Sequence, residues 1–261
     1  MSANISTLVP SRNHGWSMGF ANMLGKENTS WWRTRRWWMQ CLVWLFFLNG
    51  LMAANLANDQ YPEDAIMNYL YVAGVVLPIA AIIMGMDSIL GEIHSGTTAW
   101  VLSKPIKRPA FILAKLIAYG LGFLPTAIIL PGVIAYLHLS VYGLKLPLAG
   151  FVEAMGLVYL NLLFFLTLTI MLATLFRGRG PVLGITLIVV WSWMVPLSTW
   201  LADVMPWRLL IALGENGALP PMCYYLLFNL PLPTVAPIIA TLLWCALFFG
   251  VAIWRISREE F

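Results

Sequence analysis

Six continuous apolar runs, at 37–57, 66–86, 110–137, 151–176, 182–202 and 234–254, decide what this 261-residue chain can fold into. Each is close to the roughly 20 residues that an α-helix needs to cross about 30 Å of hydrocarbon. Lipid offers no partner to a backbone N–H or C=O, so such a run must close its hydrogen bonds within itself, as a helix. A transmembrane barrel would show alternating segments of roughly ten residues, and these runs do not alternate. Composition agrees, with 61% of residues hydrophobic and only 10% charged, against roughly 25% charged in a soluble domain. The mean hydropathy is +0.82. Six crossings and their loops use up the chain, so residues 1–261 are expected to form a single all-α membrane domain.

The basic residues give the orientation. Arg12, Lys26, Arg33, Arg35, Arg36, Lys104, Lys107, Arg108, Lys115, Arg177, Arg179, Arg255 and Arg258 fall on one side of the expected spans, and only Lys145 and Arg208 on the other. Asp59, Glu63, Asp64, Asp203 and Glu215 lie on that second side. Loops rich in Lys and Arg stay in the cytoplasm. Both termini and the 87–109 loop are therefore expected to be cytoplasmic in a multi-pass protein of the cell membrane. Residues 1–12 lack a basic start followed by an apolar core, so the first crossing is expected to act as the signal. The basic residues sit at helix ends rather than in one patch, which argues against nucleic acid as a partner.

Within residues 1–36, a cytoplasmic tail is followed from about Ser17 by Phe20, Met23, Leu24, Trp31 and Trp32 interleaved with basic residues. This pattern predicts an amphipathic helix in the cytoplasmic interface, with Trp37 and Trp38 marking where the first crossing starts. The outer loop, 203–233, is apolar but broken by Gly214, Gly217, Pro220 and Pro221, and is expected to form two short interfacial or re-entrant pieces. Pro125, Pro131 and Pro196 fall inside the third and fifth runs and are expected to kink them.

Catalytic chemistry finds no purchase. Gly19…Gly25-Lys26 has five intervening residues and is followed by Glu27, whereas a phosphate loop needs four and then Ser or Thr. Glu92-Ile93-His94 is not a zinc-protease pattern, no Gly-x-Ser-x-Gly elbow occurs, and His14, His94 and His138 lie on separate segments. Cys41, Cys223 and Cys245 form no Cys-x-x-Cys, and a thiol in an apolar run behaves as a small hydrophobe. The chain is thus expected to bind no cofactor or metal. Lys115, near the inner face, is expected to snorkel. Polar or aromatic residues within the spans, Tyr71, Asn161, Trp191 and Trp193, are candidates for a substrate path. For Asn161 an interhelical hydrogen bond is the competing reading, and for the aromatic residues packing or lipid contact.

The most informative polar segment is 87–115, set between apolar runs. It offers Asp87 or Ser88 as a helix N-cap, a short helix to about His94, a break at Gly96, and a Pro-bounded basic turn, and Glu92 and Lys104 can pair across an interface with a partner or with neighbours. Within it, Glu92 is followed after three residues by Gly96-Thr97, then by Leu102-Ser103-Lys104-Pro105-Ile106-Lys107-Arg108 and later Lys115. This stretch resembles the cytoplasmic signature of ABC-2-type exporter permeases, over about 25 residues and at the same point of the topology. His94-Ser95 and Trp100 depart from the more charged family pattern.

The resemblance implies a six-helix ABC-2 (type V exporter-like) domain with an amphipathic N-terminal helix, itself non-catalytic. ATP and magnesium would be bound by a separate ATPase, two copies of which would join two permeases, identical or related. The coupling residues would be Asp87, Glu92, His94, Gly96, Thr97, Lys104 and Arg108, with a central path along helices two and five. Relatives export antibiotics, peptides, lipid-linked sugars or other amphiphiles, while one branch serves assembly of a copper enzyme. Two other readings stand beside an exporter: a sensor or assembly subunit that uses an ATPase without transporting, and a membrane-embedded lipid-modifying enzyme. The latter calls for clustered Asp, His or Arg at one membrane face, which this sequence lacks.

Overall fold

The computed structural model describes residues 19–58, 61–96, 107–194, 203–213 and 219–258. Helix α1 is Phe20–Arg33. It is followed by α2 (Trp37–Ala57), α3 (Pro62–His94), α4 (Arg108–Val141) and α5 (Leu148–Leu175). Next come α6 (Arg179–Trp191), prolonged by a 3-10 turn Ser192–Met194, the short α7 (Met222–Leu227) and α8 (Ala236–Arg258). Helices α2, α3, α4, α5 and α8 are long and apolar enough to cross a membrane. The described part of the expected fifth span, 182–202, lies in an apolar helix, Arg179–Met194, about 24 Å long at 1.5 Å per residue. Its expected remainder, 195–202 with Pro196, lies outside the described residues.

Helix α3 corrects two expectations. Hydropathy ends the second span at Met86, but the helix continues to His94 as one 33-residue element, about 50 Å long. Residues 65–86 carry no charge and measure about 33 Å, the thickness of the hydrocarbon core. Asp87 therefore stands at the membrane boundary and the last two turns project beyond it. Neither Asp87 nor Ser88 is an N-cap, because nothing between them and Pro62 breaks the helix. Ser88 instead donates its hydroxyl to the Gly85 carbonyl at 2.7 Å, the back-bonding open to a serine inside a helix. The short helix expected from Asp87 to about His94 is thus the end of α3 rather than a separate element.

Helices α3 and α5 form the most enclosed part of the bundle. They approach closely where Gly85 faces Leu166 and Thr169 of α5, as small residues permit in a membrane bundle. Both α2 and α4 contain a π-helical segment, Leu45–Asn49 and Leu124–Ile129. Pro125 is the second residue of the latter segment and cannot donate to the ladder, so the expected disturbance there takes the form of a wider turn. At the end opposite His94 stand two short helical pieces, Pro206–Leu209 and α7, and between them Leu213 and Leu219 exchange paired hydrogen bonds. They pack inward. Trp207, Leu210, Met222 and Leu227 are buried, the Leu226 carbonyl lies where a side chain on Gly150 would be, and buried Arg208 donates to the Pro220 carbonyl.

Candidate functional site

Elements bearing basic residues meet at the end of the bundle where α3 emerges. Helix α1 repeats Met23, Glu27 and Trp31 every four residues, and this stripe is buried. Its apolar members face the chain's own α4 rather than lipid. The Trp31 ring meets Tyr119 and Phe123 edge-on at centroid distances of 5.5 and 5.3 Å, and it occupies the space a side chain on Gly122 would need. Of the residues expected to meet the membrane interface, Met23 and Trp31 are buried within the protein, Phe20 and Leu24 are half-buried, and Trp32 is exposed.

Between Met23 and Trp31, Glu27 points at Lys115. Lys115 Nζ donates to Glu27 Oε1 at 3.1 Å, stands 3.2 Å from Glu92 Oε2 and lies 5.0 Å from the centre of the Phe111 ring. Lys26 Nζ donates to Glu92 Oε1 at 2.7 Å. Two lysines and two glutamates therefore form a neutral quartet across α1, α3 and α4. Lys115 is 1% exposed, so it does not snorkel. Two carboxylates supply inside the protein the counter-charge that water would otherwise provide. Burial acts to lower the Lys26 pKa, but the hydrogen bond and charge of Glu92, with the charge of Glu27, outweigh it and hold the ammonium above its usual range.

The tip of α3 is exposed. His94, Ser95 and Gly96 are open to solvent, with His94 in the last turn of the helix. Gly96 adopts φ +70°, the left-handed conformation that ends many helices. Its N–H donates to the Ile93 carbonyl at 3.1 Å, and the Ser95 N–H to the Gly91 carbonyl at 3.1 Å. The expected break at Gly96 is therefore a built helix stop. Thr97 and Lys104 lie outside the described residues.

Two further contacts tie this end together. Asp87 Oδ1 accepts from Arg179 Nη2 at 3.0 Å, linking α3 to the start of α6. Arg108 Nη1 donates to the carbonyls of Ile256 and Ser257 at 2.7 and 2.9 Å, joining the first turn of α4 to the last of α8. Arg108 thereby satisfies carbonyls that a helix end leaves open.

The path candidates lie apart from this cluster. Asn161 is buried on α5 and donates to the Gly74 carbonyl of α3 at 3.1 Å. Tyr71 and Trp193 meet edge-on at 5.6 Å, and Trp191 is exposed. Sequence reading missed Glu27 as a site residue, although a signal was present. A glutamate spaced four residues from both Met23 and Trp31 sits in the middle of an apolar stripe, where a charge requires a partner. Among the described residues, no group of three or more His, Cys, Asp or Glu is placed to hold a metal.

Comparison with known families fits this picture. The model of a family described as ABC-2 family transporter protein matches residues 21–261, from α1 to the last residue. No curated protein matches the chain. With five helices of membrane-spanning length and a family match over nearly all its residues, the chain belongs to the ABC-2 transporter family, as a multi-pass membrane permease.

Proposed function

We propose that the chain is the membrane-spanning subunit of an exporter, through which ATP hydrolysis by a separate ATPase drives efflux of an amphiphilic substrate. In this reading the Lys/Arg-rich end faces the cytoplasm, two permeases join two ATPases, and the tip of α3 seats on an ATPase. His94 and Gly96, with Thr97 and Lys104 beyond them, form the contact, while Asp87, Glu92 and Arg108 hold the surrounding elements.

One observation carries the proposal. Helix α3 is continuous from Pro62 to His94, so displacement at its exposed tip is delivered to the α3–α5 packing in the membrane without crossing a loop. The quartet braces the tip laterally through α1 and α4. Tyr71, Asn161 and Trp193, on or against α3 and α5, lie where such displacement would be felt, and Trp191 adjoins them.

The test is substrate-stimulated ATPase activity of the complex reconstituted in vesicles. Gly96→Pro cannot adopt the left-handed φ at the helix stop. It is expected to leave basal hydrolysis and complex assembly intact while abolishing stimulation by substrate. Unchanged stimulation would remove the tip of α3 from the coupling route.

A further inference from the structure

An open groove of about 560 Å³ runs between α2 and α3, within the size range of small-molecule sites. Its lining on α3 runs from Asp87 to Val76, about 16 Å along the helix. This is close to half of the ~30 Å hydrocarbon core, so the groove spans one leaflet, that of the Lys/Arg-rich end.

Polarity along the groove is ordered. At the mouth stands the Asp87–Arg179 pair, joined by one contact at 3.0 Å, with both side chains more than half exposed. One turn deeper, Gln40 of α2 directs its amide N–H at the Met84 sulfur, 3.0 Å away. A thioether is only a weak acceptor, so this donor is poorly served. The Gln40 oxygen is already taken by Trp44 Nε1 at 2.5 Å. Deeper still, Ala80 and Val76 leave the wall apolar. A charge pair, then an amide donor, then about two apolar turns is the order in which a phospholipid presents its headgroup, its ester and its acyl chain.

We propose that this groove holds one membrane phospholipid with an aminoethyl-phosphate headgroup. The ammonium sits on Asp87, the phosphate on Arg179, and an ester carbonyl accepts from Gln40 Nε2. Both signs at the mouth select a zwitterion, because Asp87 repels a headgroup of net negative charge. The inference rests on α2 and α3 crossing the membrane and is independent of ATPase coupling.

Native mass spectrometry of the purified full-length chain in detergent tests it, with phosphatidylethanolamine and phosphatidylglycerol of identical acyl chains titrated separately. The expected result is one phosphatidylethanolamine retained per chain, preferred about fivefold, the ratio one exposed ion pair supports. Asp87→Asn is expected to erase or reverse that preference. Ala80→Trp or Ile83→Trp, each filling the groove, is expected to lose retention of both lipids while helicity and monodisperse elution persist; Ile83 is 53% exposed and tolerates the larger ring. Equal retention of the two lipids by the unaltered chain, a preference that survives Asp87→Asn, or full retention by a folded groove-filled variant would each overturn the proposal.

Discussion

Lys115 shows how much one residue depends on its surroundings. Its ammonium is excluded from water and is compensated by Glu27, itself 8% exposed, and by Glu92. Removing one member of a buried ion pair leaves an uncompensated charge and costs about 3–5 kcal/mol, whereas replacing both is far milder. Lys115→Met is therefore expected to lower the melting temperature in detergent sharply, and Lys115→Met with Glu27→Gln to recover most of the loss. A double variant no more stable than the single one would contradict the pairing. Lys26 is a different case, being half exposed. Its folded-state pKa is raised, so its contribution is fully present below the ordinary lysine range and fades only as pH climbs through the folded value. At neutral pH the bond to Glu92 is intact. Sequence reading placed Glu92 among neighbours that could pair with it but could not name Lys26 and Lys115, because proximity across 66 and 23 residues is a property of packing.

At the scale of elements, α1 behaves as a docked part of the bundle. The indole of Trp31 fills the place of a side chain at Gly122, so even a small addition there must push α1 off α4. Burial of a tryptophan is worth about 3–5 kcal/mol relative to alanine. Gly122→Leu is accordingly expected to expose α1 to limited proteolysis near Lys26 and Arg33 and to break the Lys115–Glu27 contact, while the membrane helices remain inserted. Resistance equal to that of the unaltered chain would place the anchor elsewhere. The spans themselves were largely legible, since lipid leaves an apolar run of twenty residues one option. Their ends were not. Hydropathy marks where lipid stops, but α3 continues through Asp87 and Glu92 because partners on α6, α1 and α4 satisfy those charges. Of the fifth run, the described helix covers 179–194, and the expected remainder to 202 lies outside the described residues.

At the scale of the whole molecule, one end gathers the quartet, the Asp87–Arg179 pair, the Arg108 contacts with α8 and the exposed stop at Gly96. At the opposite end Trp207, Leu210 and, on α7, Met222, Cys223 and Leu227 are buried. This asymmetry was readable in outline from thirteen basic residues on one side and two on the other, but charge placement alone did not reveal that most of the contacts there are internal. Glu92, Asp87 and Arg108 are engaged within the chain, and the proposed coupling assigns the exposed His94–Gly96 tip to contact with an ATPase. A photoreactive residue placed at His94, activated in native membranes, tests this most directly. The expected product is a crosslink to a nucleotide-binding subunit, with none from the same probe at Gly143 on the opposite end. A crosslink from Gly143, or capture at His94 of lipid alone, would contradict the assignment of the α3 tip as the point where ATP hydrolysis acts on this permease.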